Sequence, residues 1–206
     1  KTLRISTVGL PMKRRVSYLY NEDVANYHFS KDHPMKTKRI AMANSLIVNY
    51  DLYSQMDHYE SKEATRQELE LFHDKGYLDY LYNWVTAKKE DVVKIYSEEE
   101  KRRLREDPRS KNMYKVNQSF DCPGFEGLYN FCQLAVGSSL DAADLIVSGC
   151  ADIAINWAGG FHHAKKTEAS GFCYVNDIVI CILELLKNYP RVLYLDIDVH
   201  HGDGVE

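Results

Sequence analysis

Near the end of the sequence, LDIDVHHGDG places Asp196, Asp198 and His200 at every second residue. An extended backbone turns alternate side chains to one face, so the three make a row of carboxylate oxygen and imidazole nitrogen. Such donors suit a borderline divalent cation, zinc first, with iron and manganese as alternatives, although two ligands are too few for a closed site. The blander reading has Asp196 or Asp198 capping the following loop with His200 packed against it. A lone DxDxH leaves the two readings about even. A second cluster shifts the balance: WAGGFHHAKK sets His162 and His163 directly after Gly159 and Gly160, so four of the eight histidines fall in two HH pairs. Adjacent histidines can serve as general acid and general base if carboxylates tune them differently, and Asp196 and Asp203 are available, one for each imidazole. Gly159 and Gly160 suit both a tight turn and close approach of substrate to the backbone. His201 alternates away from His200 and is expected to be structural rather than a metal ligand. Phe172 reads equally well as core or as the wall of an apolar channel.

Both clusters need a scaffold that brings them together. Ile153 to Trp157 and Val192 to Ile197 are short apolar runs that suit buried strands of a parallel sheet. Between them, Asn176 can cap the apolar helix IVICILELLK, which Pro190 stops. Strand, helix, strand is a βαβ unit, whose strands present their carboxyl ends, and so both clusters, on one side of the sheet. Upstream, VSYLY (Val16 to Tyr20) reads as a first strand. A helix follows, with Pro34 near its start and Ile40, Ala43, Ile47 and Tyr50 on one face. Residues 63–85 read as two short helices broken at Gly76, and Leu128 to about Gly149 as a longer amphipathic one. In the charged stretch 87–117, SEEEKRRLRED reads as a solvated helix capped by Ser97 and Glu100, with Glu98 facing Arg102 and Glu99 facing Arg103.

The 206 residues are 45% hydrophobic and 27% charged, enough apolar material for one globular domain. With 26 Lys and Arg against 30 Asp and Glu, the net charge of −4 argues against direct DNA binding. No apolar stretch approaches the roughly 20 residues of a membrane-spanning helix, and KTLRISTVGLPMKRR lacks the apolar core of a secretory signal. An intracellular protein is the expectation. Five cysteines, odd in number and without close pairing, do not suggest a disulfide framework. The absence of an initial methionine and the stop at Glu206, just past the densest motif, suggest a piece of a longer protein.

Four blocks carry a resemblance: HPMK (His33 to Lys36), DCP (Asp121 to Pro123), AINWAGGFHHAKKTEASGFCYVND (Ala154 to Asp177) and RVLYLDIDVHHGDGVE (Arg191 to Glu206). On them the chain closely resembles the class I zinc-dependent histone deacetylases. The resemblance implies the three-layer α/β arginase/deacetylase fold around a central parallel sheet. Residues 1–206 would be the N-terminal part of a single catalytic domain, cut on its C-terminal side, with 87–117 a charged surface segment within it. It implies hydrolysis of acetyl-lysine in histones and other proteins by a zinc-bound water, in transcriptional repression, in the nucleus and also the cytoplasm, with corepressor subunits as partners.

On the matching positions, Asp198 and His200 would hold zinc, and His162 and His163 would be the catalytic pair with Asp196 and Asp203 behind them. His163 would accept the proton from water. Gly171 and Phe172 would line the tunnel for the lysine stem, and Asp121 would hold the substrate backbone at its rim. The main chain around Asp196, Asp198 and His200 would help bind a structural potassium, and Arg39 would stand near an acetate-release channel. The family's third zinc ligand and its transition-state tyrosine lie beyond Glu206, so the piece alone is expected to be inactive. From Phe29 to Arg39 the chain reads FSKDHPMKTKR where close relatives read YGxGHPMKPxR. The added Asp32 repels polyanions, against the inositol phosphate contact that His28 and Lys36 would otherwise suggest. Two rivals stay in play: an amidohydrolase or ureohydrolase on the same fold, which would want further aspartates beside the DxDxH, and a catalytically silent corepressor scaffold.

Overall fold

Parallel strands cannot be joined by a tight turn, so each pairing in this molecule encloses a crossover. The structure is a computed structural model and describes residues 13–86, 99, 102 and 114–206. Strand β1 (Val16–Leu19) is central and pairs in parallel with β2 (Asp57–Tyr59) on one side and β3 (Ile153–Asn156) on the other. Helices accompany this sheet, an α/β architecture as the sequence pattern implies. β1 is buried from Ser17 to Leu19, which explains its β-branched and aromatic composition.

Helix α1 (Lys38–Asn49) joins β1 to β2. It starts after Thr37, so Pro34 lies ahead of it in the HPMK loop rather than at its first turn. Of its expected inner face, Ile40 is buried and Tyr50 is exposed. The short α2 (Arg66–Leu69) opens on a capping box in which the Thr65 side chain and Glu68 satisfy each other's backbone N–H groups. Helix α3 (Lys75–Thr86) includes Gly76, so the break between the two helices falls earlier than expected, at Asp74, whose carboxylate takes the N–H groups of Gly76 and Tyr77. β2 was not foreseen, because Asp57-His58-Tyr59 carries no apolar alternation.

Helix α4 (Leu128–Val147) forms the centre of the core, with twelve residues buried, and lies against β1, β3 and α3. Around its first turns Phe29, Phe125, Phe131 and Tyr174 pack with ring centroids 4.8–5.8 Å apart. Helix α5 (Asp177–Leu186) packs on α4 and is capped as the sequence predicts, Asn176 Oδ1 accepting from Val179 N at 3.0 Å. All five cysteines are free. Of the charged 87–117 segment, the SEEEKRRLRED helix lies outside the described residues apart from Glu99 and Arg102, which pair with each other at 2.9 Å.

One expectation fails. Val192 to Ile197 forms no strand, so among the described residues the second half of the βαβ unit is absent from the sheet. Leu193, Leu195 and Ile197 are 78–92% exposed, and no described element covers them. What holds the segment is side-chain chemistry rather than a ladder: Asp196 is tied to His162, and the Tyr194 hydroxyl donates to the same carboxylate. β3 is likewise only half-buried, because its outer edge has no described neighbour.

Candidate functional site

β3 runs into a turn whose geometry the two glycines permit. Gly160 has φ +96°, and a Cβ on Gly159 would stand 2.1 Å from the Asp177 carboxylate. Asp177, at the start of α5, is fully enclosed and receives the N–H of Gly160, the N–H of Phe161 and the Ser139 hydroxyl at 2.6–3.1 Å. Burial pushes its pKa above the ordinary carboxylate value, while the hydrogen bonds from Ser139, Phe161 and Gly160 pull it down. The turn is therefore fixed from within the core, and it delivers His162 and His163 into a cleft.

Each imidazole is then oriented by its own carboxylate. His162 Nδ1 is 2.7 Å from Asp196 Oδ2, and His163 Nδ1 is 2.7 Å from Asp203 Oδ1. The rings lie 4.1 Å apart, and Nε2 is the remaining nitrogen on each. Asp196 is also bound by the Tyr194 hydroxyl and by the N–H of Asp198. These donors, Tyr194 first and then His162, hold its pKa far below the usual range. Asp203 is held down to about 2, first by the Lys165 ammonium 2.7 Å away and then by His163. The backbone N–H of Gly204 on His162 O, at 2.9 Å, docks the loop that carries Asp203.

The facing wall comes from a tight turn at Gly171-Phe172. Ser170 and Cys173 exchange both backbone hydrogen bonds, at 2.9 and 2.7 Å, and the two residues between them have φ of 46° and 69°, the φ signature of a type I′ turn. A positive φ is unusual for phenylalanine. Here it carries the Phe172 ring edge-on against the buried His33 at 4.7 Å. A Cβ on Gly171 would come within 2.5 Å of the His163 ring.

His162, His163, Gly171 and Phe172 line a cavity of about 440 Å³ that also touches Arg39, Asp121, Asp198 and His200. His33 holds Asp121 in place, its Nε2 lying 3.1 Å from the Asp121 carbonyl oxygen.

The donor pair Asp198 and His200 is built differently. Asp198 Oδ1 accepts from both N and Nδ1 of His200, at 2.7 and 2.9 Å, and the His200 backbone N–H does most to lower the Asp198 pKa. An oxygen and a nitrogen donor so close can share one ion, and their chemistry fits zinc. Both side chains are half or more exposed, and among the described residues no third metal-binding side chain joins them. His201 points elsewhere and pairs with Glu206 at 2.8 Å on the surface. His28 is exposed, and Lys36 spends its ammonium on the carbonyls of Ser30 and Lys31.

Sequence reasoning missed three residues here. Tyr194 extends the period-2 row by one step toward the N-terminus, and Lys165 follows His163 by two, so spacing offered a signal for each. Asp177 stood hidden beside the capping Asn176.

A family model described as "Histone deacetylase domain" matches residues 33–206. The chain is 50% identical over 200 residues to histone deacetylase RPD3 of Saccharomyces cerevisiae, covering 97% of this chain and 42% of that protein. It is 48% identical over 194 residues to histone deacetylase clr6 of Schizosaccharomyces pombe, covering 94% and 44%. To histone deacetylase 1 of Homo sapiens it is 47% identical over 194 residues, covering 94% and 37%. The chain thus spans less than half the length of these relatives.

Proposed function

The chain belongs to the histone deacetylase domain family, and from the geometry of its cleft we propose that the protein of which it is part hydrolyses acetyl-lysine side chains in histones. The observation that carries this is the pair of imidazoles, each fixed through Nδ1 by a separate carboxylate and both bordering one cavity with an oxygen–nitrogen donor pair. An amide resists hydrolysis because its carbonyl is a weak electrophile and its amine a poor leaving group, so both need help. When bound at Asp198 and His200, zinc would polarise the carbonyl and bring the pKa of its water to about 7.

The chain's own residues do the rest. His163 Nε2 takes a proton from the attacking water, and Asp203 keeps the ring in the tautomer that can accept it. His162 stands beside it with Asp196 behind. The imidazoles then return a proton to the departing lysine nitrogen, so water and amide become acetate and amine with the protons balanced. Phe172, Gly171, Asp121 and Arg39 line the same cavity; in this reading Phe172 and Gly171 would give the lysine stem an apolar wall, Asp121 would hold the substrate backbone, and Arg39 would serve acetate release.

A structural potassium on the backbone of Asp196, Asp198 and His200, action in the nucleus within corepressor complexes, and transcriptional repression complete this reading. An inositol phosphate at His28 and Lys36 does not belong to it, because the Lys36 ammonium is already engaged and Asp32 lies in the same loop. The test uses the full-length protein. Metal analysis should find one zinc per chain, lost in His200→Ala, and an acetyl-lysine peptide should release acetate. Unchanged zinc in the variant would remove His200 from the metal, and absence of acetate release would overturn the activity.

A further inference from the structure

We infer that Lys165 is a positioning residue for His163, acting through Asp203; this rests on the deacetylase reading of the cleft and deepens it.

The Asp203 carboxylate is divided between two partners. Oδ1 is 2.7 Å from His163 Nδ1, and Oδ2 is 2.7 Å from Lys165 Nζ. An aspartate held by one partner can rotate about its last side-chain bond and offer either oxygen, because that torsion is broad and roughly two-fold. Held by both, it cannot turn without breaking an ion pair and a hydrogen bond together.

The clamp is short and stiff, because His163 and Lys165 are only two residues apart on one segment. That segment is itself pinned: Lys165 N donates to Glu168 O at 3.0 Å, and Lys166 O accepts from Asp74 N at 3.0 Å. The Asp203 side is fixed as well, by Asp203 N on His201 O at 2.8 Å and Gly204 N on His162 O at 2.9 Å.

Among the described residues the neighbouring couple has no such cation. Asp196 takes its restraints from its own row, through the Tyr194 hydroxyl and the Asp198 N–H, both neutral donors. The two histidines therefore differ in what stands behind their carboxylates, and among the described residues only the one assigned to take the proton has an ammonium there. Lys165 and Asp203 are each about one third exposed, so the pair adds little to folding. Its effect falls on the orientation of the ring, where an error of 1 Å can cost about 10² in rate.

The experiment compares Lys165→Met and Lys165→Arg in the full-length protein. Methionine keeps the apolar stem and loses the charge, and arginine restores a cation that can reach Oδ2. We expect kcat on an acetyl-lysine peptide to fall about 10-fold in Lys165→Met with KM within about twofold, and Lys165→Arg to recover most of it. The second readout is the imidazole N–H proton resonance of His163 in protein labelled with 15N-histidine, assigned by its loss in His163→Ala. It should shift and exchange faster with water in Lys165→Met and return in Lys165→Arg.

An unchanged resonance with unchanged kcat in Lys165→Met overturns the inference, and so does equal loss in both variants, which would mark a merely structural lysine. A resonance that responds in a protein whose unmodified form releases no acetate would leave Lys165 as the positioning residue and overturn the deacetylase reading instead.

Discussion

The two histidine pairs of this molecule are built in opposite ways. His162 and His163 are mostly buried, with side chains 10% and 19% exposed, and their anchors come from residues 34 and 40 positions away in sequence. His200 and His201 are about 70% exposed, and their partners, Asp198 and Glu206, lie within five residues. Long-range anchoring makes the first pair a consequence of the fold, whereas short-range pairing leaves the second a property of its own segment. Orientation is therefore set by the fold at the pair proposed to move protons, whereas the donor row would be fixed by the ion it is proposed to bind. A bound ion stabilises the state that binds it, so the looser row would gain most order from the metal.

The largest effect should come from breaking the anchored pair. In the full-length protein, His163→Ala should lower turnover about 10² to 10⁴-fold with little change in substrate affinity, because proton transfer is used in the transition state. Steady-state kinetics on an acetyl-lysine peptide would read it, and near-normal kcat would make the base assignment wrong. Gly171→Ala sharpens the same point without touching a titratable group. The new methyl must occupy space 2.5 Å from the His163 ring at a φ of 46°, so the ring or the turn has to move. Strain of this kind costs about 1–3 kcal/mol. Thermal unfolding should show that loss, with kcat reduced by roughly 10-fold or more. If activity survives, Phe172 and His163 tolerate more freedom than the tight turn suggests.

How far this contrast could be read from the sequence follows from the range of each interaction. Local signals were legible. Asn176 announces a helix three residues before the amide it caps, and alternation announces the row Asp196, Asp198, His200. The partnership of two imidazoles with Asp196 and Asp203 could be anticipated because, with Asp198 assigned to the donor pair with His200, these are the remaining aspartates of LDIDVHHGDG. Longer-range facts were not legible. Asp177 looks like an ordinary first-turn acid, and nothing local says that it receives the N–H groups of a turn 16 residues upstream. Val192 to Ile197 has the composition of a buried strand, but composition cannot say whether a neighbour is present to pair with it. In this structure the described chain offers none, and the run stays exposed. β2 fails for the converse reason: Asp57, His58 and Tyr59 become a strand because β1 lies beside them, not because they favour it.

A smaller effect, on stability rather than rate, should come from the support behind the anchored pair. His73 is 2% exposed; its Nδ1 faces Lys166 O at 3.3 Å, and its Nε2 accepts from Asn176 N at 2.9 Å. That arrangement requires the neutral ring, and burial depresses the His73 pKa to about 4 against the backbone hydrogen bonds that would raise it. A histidine whose folded pKa lies below its unfolded value of about 6.5 is bound by more protons in the unfolded state. Its contribution is complete above pH 6.5 and is lost progressively as pH falls toward 4, to a total of about 3 kcal/mol. Chemical denaturation of the full-length protein between pH 7 and 4 should show this slope, and His73→Gln should flatten it. A slope unchanged in the variant would place the pH sensitivity elsewhere.

The smallest effect should come from the exposed pair, and it is the sharpest check on the comparison because it asks for nothing to happen. His201 and Glu206 meet at 2.8 Å with side chains 70% and 76% exposed. In water their attraction is screened, and holding two mobile side chains together costs entropy that offsets most of it. His201→Ala should therefore change stability by no more than about 0.5 kcal/mol and leave kcat and zinc content of the full-length protein as they were. The neighbouring His200→Ala, one residue away on the other side of the row, should lose the metal. Loss of zinc in both variants would mean that the alternation of side chains along residues 196–201 does not separate ligand from bystander, and the two histidine pairs would have to be treated as one site.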